Sequence, residues 1–312
     1  MLKNTTLAIC IMKKNILITG GTGFVGQHLT QLLISKGYIV SILSRSKRKN
    51  EESIFYYLWD IKNNKIEDEA VLNADFIIHL AGENIAGKRW TKKRKKAIID
   101  SRVAPVSLIE NVMRKHNKKV EAFISASGVG IYGAYTKERI CIEETAVAND
   151  FLGTTCQVWE SAADEMSVHA TRVVKVRTGL VLGQGGFLTK LLPLFQCKLG
   201  SAIGSGKQYM PWIHIDDLTG IYLEAIENSQ MNGAYNAAIL DNTTNESFSN
   251  TLAKVLGYQI WLPKVPAFIL KLVLGEMAVI ILTGQRVSSE KVKEIGFSFQ
   301  YRDLVIALRD CI

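Results

Sequence analysis

The stretch Lys14–Gly26, KNILITGGTGFVG, decides how the rest of the chain reads. Asn15 to Thr19 is a short apolar run of the length of one buried strand. It stops at Gly20-Gly21-Thr22-Gly23, where small residues let the chain turn sharply without Cβ clearance. Phe24-Val25-Gly26 then opens a helix whose apolar positions Val25, Leu29, Leu32 and Leu33 recur at helical spacing. Gly37 is placed to end that helix, and a second apolar run, Tyr38 to Leu43, follows at once. The order strand, glycine turn, helix, strand predicts a βαβ unit and, with it, a parallel sheet.

The turn carries its own chemistry. The first N–H groups of a helix have no intrahelical partner, and the macrodipole adds partial positive charge there. Glycines let a pyrophosphate approach those groups closely. Gly21-x-Gly23-x-x-Gly26 fits the dinucleotide fingerprint, and its place between a strand and an amphipathic helix makes the match specific. Gly20, Thr22, Gly23, Phe24, Val25 and Gly26 are therefore the expected cofactor contacts. The discriminating residue belongs at the end of the second strand, an acid for NAD or an arginine for the 2′-phosphate of NADP. That place holds Ser44-Arg45-Ser46-Lys47-Arg48-Lys49, with no acid before Glu51. NADP is favoured over NAD, with Arg45 gripping the phosphate; a solvated basic loop is the plainer reading.

Of the 312 residues, 47% are hydrophobic and 21% charged, an ordinary globular composition for one large or two smaller domains. The net charge of +9 suits nucleic acid, a membrane or a phosphorylated small molecule equally. Five scattered cysteines without metal spacing fit a reducing cytoplasm and predict neither a disulfide framework nor a metal site. Leu7 to Met12 is too short for a signal-peptide core, and Met12 is an alternative start. Val265 to Leu282 is the most apolar stretch, but Lys271 and Glu276 interrupt it, so it reads as a core or partner-facing helix and no membrane span is expected.

Further apolar runs extend the sheet. Ser53 to Trp59 reads as a third strand ending at Asp60, which is either an acceptor for the adenine amino group or an acid in an exposed turn. Phe76 to Leu80 is a fourth, followed by Ala81-Gly82-Glu83-Asn84. Leu80, Ala81, Gly82 and Glu83 then lie where ligands bind in doubly wound sheets. Lys88 to Lys96 is strongly basic around Trp90. It is read as an exposed helix start near an anion, ahead of a nucleic-acid surface, and Pro105 is expected to kink or restart that helix. Ala122 to Ser127 is a fifth strand running into Gly128 to Gly133, with the Ser127 hydroxyl and Tyr132 expected towards the nicotinamide. Glu138 to Gly153 reads as a polar loop, Thr154 to His169 as a helix, Thr171 to Val176 as a sixth strand and Ala234 to Ile239 as a last one. His214 reads as a satisfied core or loop histidine, and Asp216 or Asp217 as a helix cap.

Together these segments resemble the extended short-chain dehydrogenase/reductases, and more closely their atypical "epimerase family" branch. The carrying motifs are ITGGTGFVG from Ile18, HLAGENIAGKRWTKKRK from His79, SASGVGIYG from Ser125, RTGLVLG from Arg177, GSGKQYMPWIHIDDL from Gly204, VLGEMA from Val273 and GQRV from Gly284. The resemblance implies a Rossmann-type doubly wound parallel sheet with a smaller C-terminal lobe. The expected division is a dinucleotide-binding domain at 13–178, with 211–240 returning to it, and a substrate lobe at 179–312. Enzymes of this superfamily use a Tyr-x-x-x-Lys pair with a serine. Ser127 matches the serine, but the pair's places fall near Leu152 and Cys156, with Glu160 one turn on. The expectation is therefore an NADP-binding oxidoreductase or epimerase acting on a small, anionic substrate through Ser127 and Tyr132, with Glu83 or Asp150 as alternative acids if desolvated. Asn84, Trp90, Arg94 and Lys207 are the expected substrate contacts. A non-catalytic NADP sensor is the alternative, and a homodimer is left open.

Overall fold

The structure is a computed structural model and describes residues 13–134 and 138–312; Met12 and the Leu7–Met12 run lie outside them. The first half alternates strand and helix: β1 (Asn15–Thr19), α1 (Phe24–Ser35), β2 (Ile39–Ser44), β3 (Ile54–Asp60), β4 (Lys65–Ile66), α2 (Asp68–Leu72), β5 (Phe76–His79), α3 (Lys92–Lys115), β6 (Val120–Gly128). It continues through β7 (Ile140–Cys141), α4 (Phe151–Glu165), β8 (Ala170–Thr178), β9 (Leu180–Leu182), α5 (Leu188–Gln196), β10 (Trp212–His214), α6 (Ile215–Glu227) and β11 (Gly233–Ala237). The remainder is α7 (Asn245–Val255), α8 (Ala267–Leu274), α9 (Val279–Leu282), β12 (Arg286–Val287), α10 (Glu290–Glu294) and α11 (Leu304–Asp310).

The main sheet runs β11-β8-β6-β5-β1-β2-β3-β4. Every pairing in it is parallel except β3–β4, in which Trp59 faces Ile66. Side chains alternate across the strands. Ile16, Ile18, Phe76 and Ile78 join α1 and α6 in one core layer. Leu17, Ile77 and Phe123 join α2, α3 and α4 in the other. Both faces are thus covered, which is why these strands read as continuous apolar runs. Each of the wholly buried Leu and Ile side chains contributes about 1.5–3 kcal/mol. Because β1 lies between β2 and β5, the chain leaves it in opposite directions on either side, and a crevice opens at the strand C-termini.

The second cluster of elements builds its own core from Leu188, Phe195, Trp212, Phe248, Leu252 and Leu308. Two small parallel ladders tie the pieces together, β9 to β10 and β7 to β12, while β11 returns to the main sheet beside β8.

Several local expectations are corrected. Pro105 neither breaks nor restarts α3, which runs unbroken from Lys92 to Lys115 with Pro105 buried inside it. The helix expected at Thr154 begins at Phe151, because Asp150 caps it by accepting the Gly153 N–H. Neither Asp216 nor Asp217 caps α6. His214 does so by accepting the Asp216 N–H, and Asp217 instead accepts the N–H groups of Gln300 and Tyr301. The apolar run 265–282 is not a core helix. It divides into α8, a 3-10 turn at Gly275–Ala278 and α9, with Gly275 at φ +61° and no buried residue in α8.

Candidate cofactor and active site

The β1–α1 turn is built for close approach. Gly20 takes φ +71°, and a Cβ there would lie 2.9 Å from the Ala81 nitrogen. A Cβ on Gly26 would lie 2.6 Å from the Gly21 Cα and closer still to the Gly20 carbonyl oxygen. The turn closes through Gly23 N–H donating to the Gly20 carbonyl at 3.0 Å. Gly23 caps α1 without any side-chain hydrogen bond, and the first turn carries no acid. The positive end of the helix therefore opens onto the crevice with nothing of its own to neutralise it, which suits a pyrophosphate. The Phe24 ring turns away from the turn and packs on the backbone of Gly183, Gly185 and Gly186, a contact not foreseen from the sequence.

A buried chain of hydrogen bonds locks this turn to β5. His79 is fully buried, and its Nε2 lies 2.9 Å from the Arg102 carbonyl, so that nitrogen carries the proton. Its Nδ1 then accepts from the Thr19 hydroxyl at 2.7 Å, and the same hydroxyl oxygen accepts the Ala81 N–H at 3.2 Å. Burial pulls the His79 pKa down to about 4 and keeps the ring neutral.

Arg45 is exposed directly after β2, beside Ser44, whose hydroxyl donates to the Ser46 carbonyl. Asp60 accepts from Lys62 N–H, Asn63 N–H and the Asn63 amide, the bonding of a turn acid. Leu80, Ala81 and Gly82 follow directly on β5, with the Leu80 N–H on the Thr19 carbonyl. Under Gly82 lies a group the sequence reading missed: the Arg102 guanidinium, whose Cζ would be 3.2 Å from a Cβ at that position. Arg102 is buried, donates to the carbonyls of Ile98 and Glu83, and stacks 4.8 Å from the Trp159 ring. No carboxylate lies within ion-pair distance of it among the described residues, and desolvation lowers its pKa.

The proposed substrate contacts are placed less favourably. Arg94 donates to the Glu83 carboxylate and to the Asn84 carbonyl, so its charge is already matched. That guanidinium holds the Glu83 carboxyl below the usual range, so Glu83 is an ionised partner and not a desolvated acid. The Asn84 side chain accepts the Ala86 N–H. Trp90 is buried with Ile98, Leu152 and Met277, its indole N–H on the Ile85 carbonyl. Lys207 is exposed on the 200–210 loop.

Ser127 and Tyr132 enter one closed network. The Ser127 hydroxyl donates to Glu160 at 2.7 Å, and Arg177 forks onto the same carboxylate with two bonds of 2.8 Å. Arg177 also donates to the Tyr132 hydroxyl at 3.0 Å, which in turn donates to Asn236 at 2.6 Å. Burial pushes the Tyr132 phenol up to about 12, against the pull of Arg177. The Tyr132 hydroxyl proton is thus directed to Asn236. Leu152 and Cys156, near which the sequence reading put the places of the Tyr-x-x-x-Lys pair, are both buried. Burial, reinforced by the Glu160 charge, pushes the Cys156 thiol up to about 12, so it stays protonated. The carboxylate of Asp150, another acid considered, is occupied by the N–H groups of Ala134 and Gly153.

Comparison with known proteins agrees with this geometry. Residues 16–238 match the NAD dependent epimerase/dehydratase family, and residues 265–311 match a domain of unknown function, DUF1731. The epimerase family protein YfhF of Bacillus subtilis is 36% identical over 299 residues, covering 96% of this chain and 98% of that protein. The human epimerase family protein SDR39U1 is 32% identical, covering 95% and 99%. The crystal structure of human SDR39U1 (isoform 2) with NADPH superposes with a TM-score of 0.82 at 31% identity, covering 95% of this chain and 98% of that one. The UDP-glucose 4-epimerase of Thermotoga maritima, at 19% identity and a TM-score of 0.75, shares the fold. Similarity of this length in both directions makes the conclusion plain: the chain belongs to the NAD-dependent epimerase/dehydratase family, among its epimerase family proteins.

Proposed function

We propose that this protein binds NADPH across the β1/β5 crevice and serves as an oxidoreductase- or epimerase-type enzyme on a small anionic substrate. The carrying observation is the cradle at Gly20–Gly26, whose space a single Cβ would fill and whose helix end has neither a side-chain cap nor an acid in its first turn. NADPH in the similar human structure supports the cofactor, and Arg45 is where a 2′-phosphate needs a cation. Residues 13–178 with 211–240 form the cofactor half in this reading, and the remainder the substrate lobe.

The nicotinamide, when bound, supplies a hydride. The chain's own residues do the rest. The Gly20–Gly26 backbone holds the pyrophosphate, and Thr19, His79 and Ala81 fix that turn. The Ser127 hydroxyl donates its hydrogen bond to Glu160, which leaves its oxygen lone pairs to accept from a ligand hydroxyl. Arg102 replaces Arg94 and Lys207 as the cation for an anionic ligand, because a buried guanidinium without a carboxylate is costly until an anion reaches it. Tyr132 holds Arg177 and Asn236 in place.

A second reading, an NADPH sensor without turnover, is favoured by one observation: the Tyr132 hydroxyl donates to Asn236 and both Tyr132 and Cys156 are buried. Calorimetric titration with NADPH tests the cofactor, and absence of binding removes both readings. NADPH oxidation with sugar nucleotides, aldehydes and ketones then separates them. With a substrate in hand, Arg102→Met is expected to raise KM about tenfold or more, and Tyr132→Phe to leave kcat within about twofold. No oxidation of NADPH with any of these classes puts the sensor first.

A further inference from the structure

The surface formed by α8 and the start of α3 is not absorbed by the cofactor site. α8 shows solvent an apolar face, with Phe268 71%, Leu272 77%, Val273 60% and Ile269 41% exposed. These four positions share one side of the helix. Trp261, in the segment leading to it, is 69% exposed. An apolar helix face of this kind on an otherwise ordinary surface marks an interaction site.

The fold sets the most basic segment of the chain against it. A Cβ on Gly275, directly after α8, would lie 3.0 Å from the Arg89 guanidinium. Lys95 pairs with Glu276, and Trp90 packs with Met277. Arg89, Lys92 and Lys93 are exposed beside it, Lys271 projects from α8 itself, and none of the four has an ion-pair partner among the described residues. A protein partner that buried only the apolar face would leave these cations unmatched. An anionic bilayer takes both parts, aromatic and aliphatic side chains at the headgroup boundary and cations among the phosphates.

We propose that α8 and the Arg89–Lys93 turn form a reversible docking surface for an anionic phospholipid membrane. The helix lies in the interface plane; among the described residues no helix is long and apolar enough to cross a bilayer. The surface does not use the Gly20–Gly26 turn, so its test is separate from that of cofactor binding.

The test is co-sedimentation of the full chain with vesicles of phosphatidylcholine alone and with vesicles containing about 30% phosphatidylglycerol. Binding at least about tenfold stronger to the anionic vesicles, and falling as salt rises, is expected. Phe268→Asp with Leu272→Asp abolishes it, and Arg89→Glu with Lys92→Glu weakens it about tenfold or more. Unchanged circular dichroism shows that both variants fold. No pelleting, equal pelleting with both vesicles, or full pelleting of the Asp variant overturns the proposal. So does a dimer in light scattering that Leu272→Asp splits and that ignores vesicles, which assigns the face to a second copy of the chain.

Discussion

The β1–α1 turn and the Ser127–Glu160–Arg177–Tyr132 cluster both collect polar groups at the C-terminal ends of strands, yet they are finished differently. The turn leaves the positive end of α1 uncapped by any side chain. In the cluster every named group meets a protein partner: hydroxyl to carboxylate, carboxylate to guanidinium, phenol to amide. Unmatched groups await a ligand, whereas matched ones hold the sheet together, because a buried polar group is costly only while it lacks a partner. By this measure Tyr132 belongs with the cluster, while Arg102 stands between the two, with carbonyl partners but no carboxylate beside it among the described residues.

The largest effect is expected at the turn itself. Gly26→Val drives a branched side chain into the Gly20 and Gly21 backbone, where no flexible atom can yield. NADPH binding should fall more than about 100-fold, with a loss of about 3 kcal/mol of stability from the overpacked contact. Calorimetry reads the first and urea unfolding the second. Full binding by this variant would remove the cradle from the argument.

The cluster should respond in stability. Glu160→Ala strands Arg177 in a buried place and should cost about 3–5 kcal/mol. Replacing both, as Glu160→Met with Arg177→Met, should recover part of that loss, because two apolar side chains need no counter-charge. If the double variant is no better than Glu160→Ala, the pair is not the cluster's main term. The NADPH affinity of the double variant should change little, and a large loss would join the two regions that the comparison separates.

His79 gives the comparison a pH signature. Its folded pKa is near 4, below the ordinary 6.5, so the unfolded chain binds the extra proton between those values. Stability from this group is complete above pH 6.5 and is lost as pH falls towards 4, roughly 3 kcal/mol in all. Urea midpoints from pH 7 to pH 4 should trace this loss, and His79→Gln should flatten it. A wild-type profile that is flat through that window would mean His79 is charged in the native state.

The parts of the fold that were legible in the sequence are those set by neighbours along the chain. The glycines of the turn, the apolar runs of β1, β2, β5 and β6, and the spacing of α1 each declare themselves within a few residues. The bond that holds the Tyr132 hydroxyl was not legible, because Asn236 lies 104 positions away and no local pattern shows that pairing. Arg102 was missed because it stands inside a helix that looks like any basic amphipathic one. Its meaning comes from Gly82 and Trp159, which the fold brings over it. The bond from His79 to the Arg102 carbonyl is hidden in the same way, since it joins β5 to a helix 23 positions further on.

The smallest expected effect is the most selective. Arg45 stands exposed after β2, so its bond to a 2′-phosphate would be charge-assisted yet shared with water. Arg45→Ala should weaken NADPH binding about tenfold, the range of one such bond at a wet surface, and leave NADH unchanged. The NADPH to NADH ratio is therefore the sharper measurement, because any general damage to the turn cancels in it. Raised salt should narrow the same ratio in the wild type, since screening acts on the extra phosphate charges. If Arg45→Ala weakens both cofactors equally, Arg45 only adds to the basic field around the crevice, and phosphate selection must lie with Lys47, Arg48 or Lys49 on the same loop.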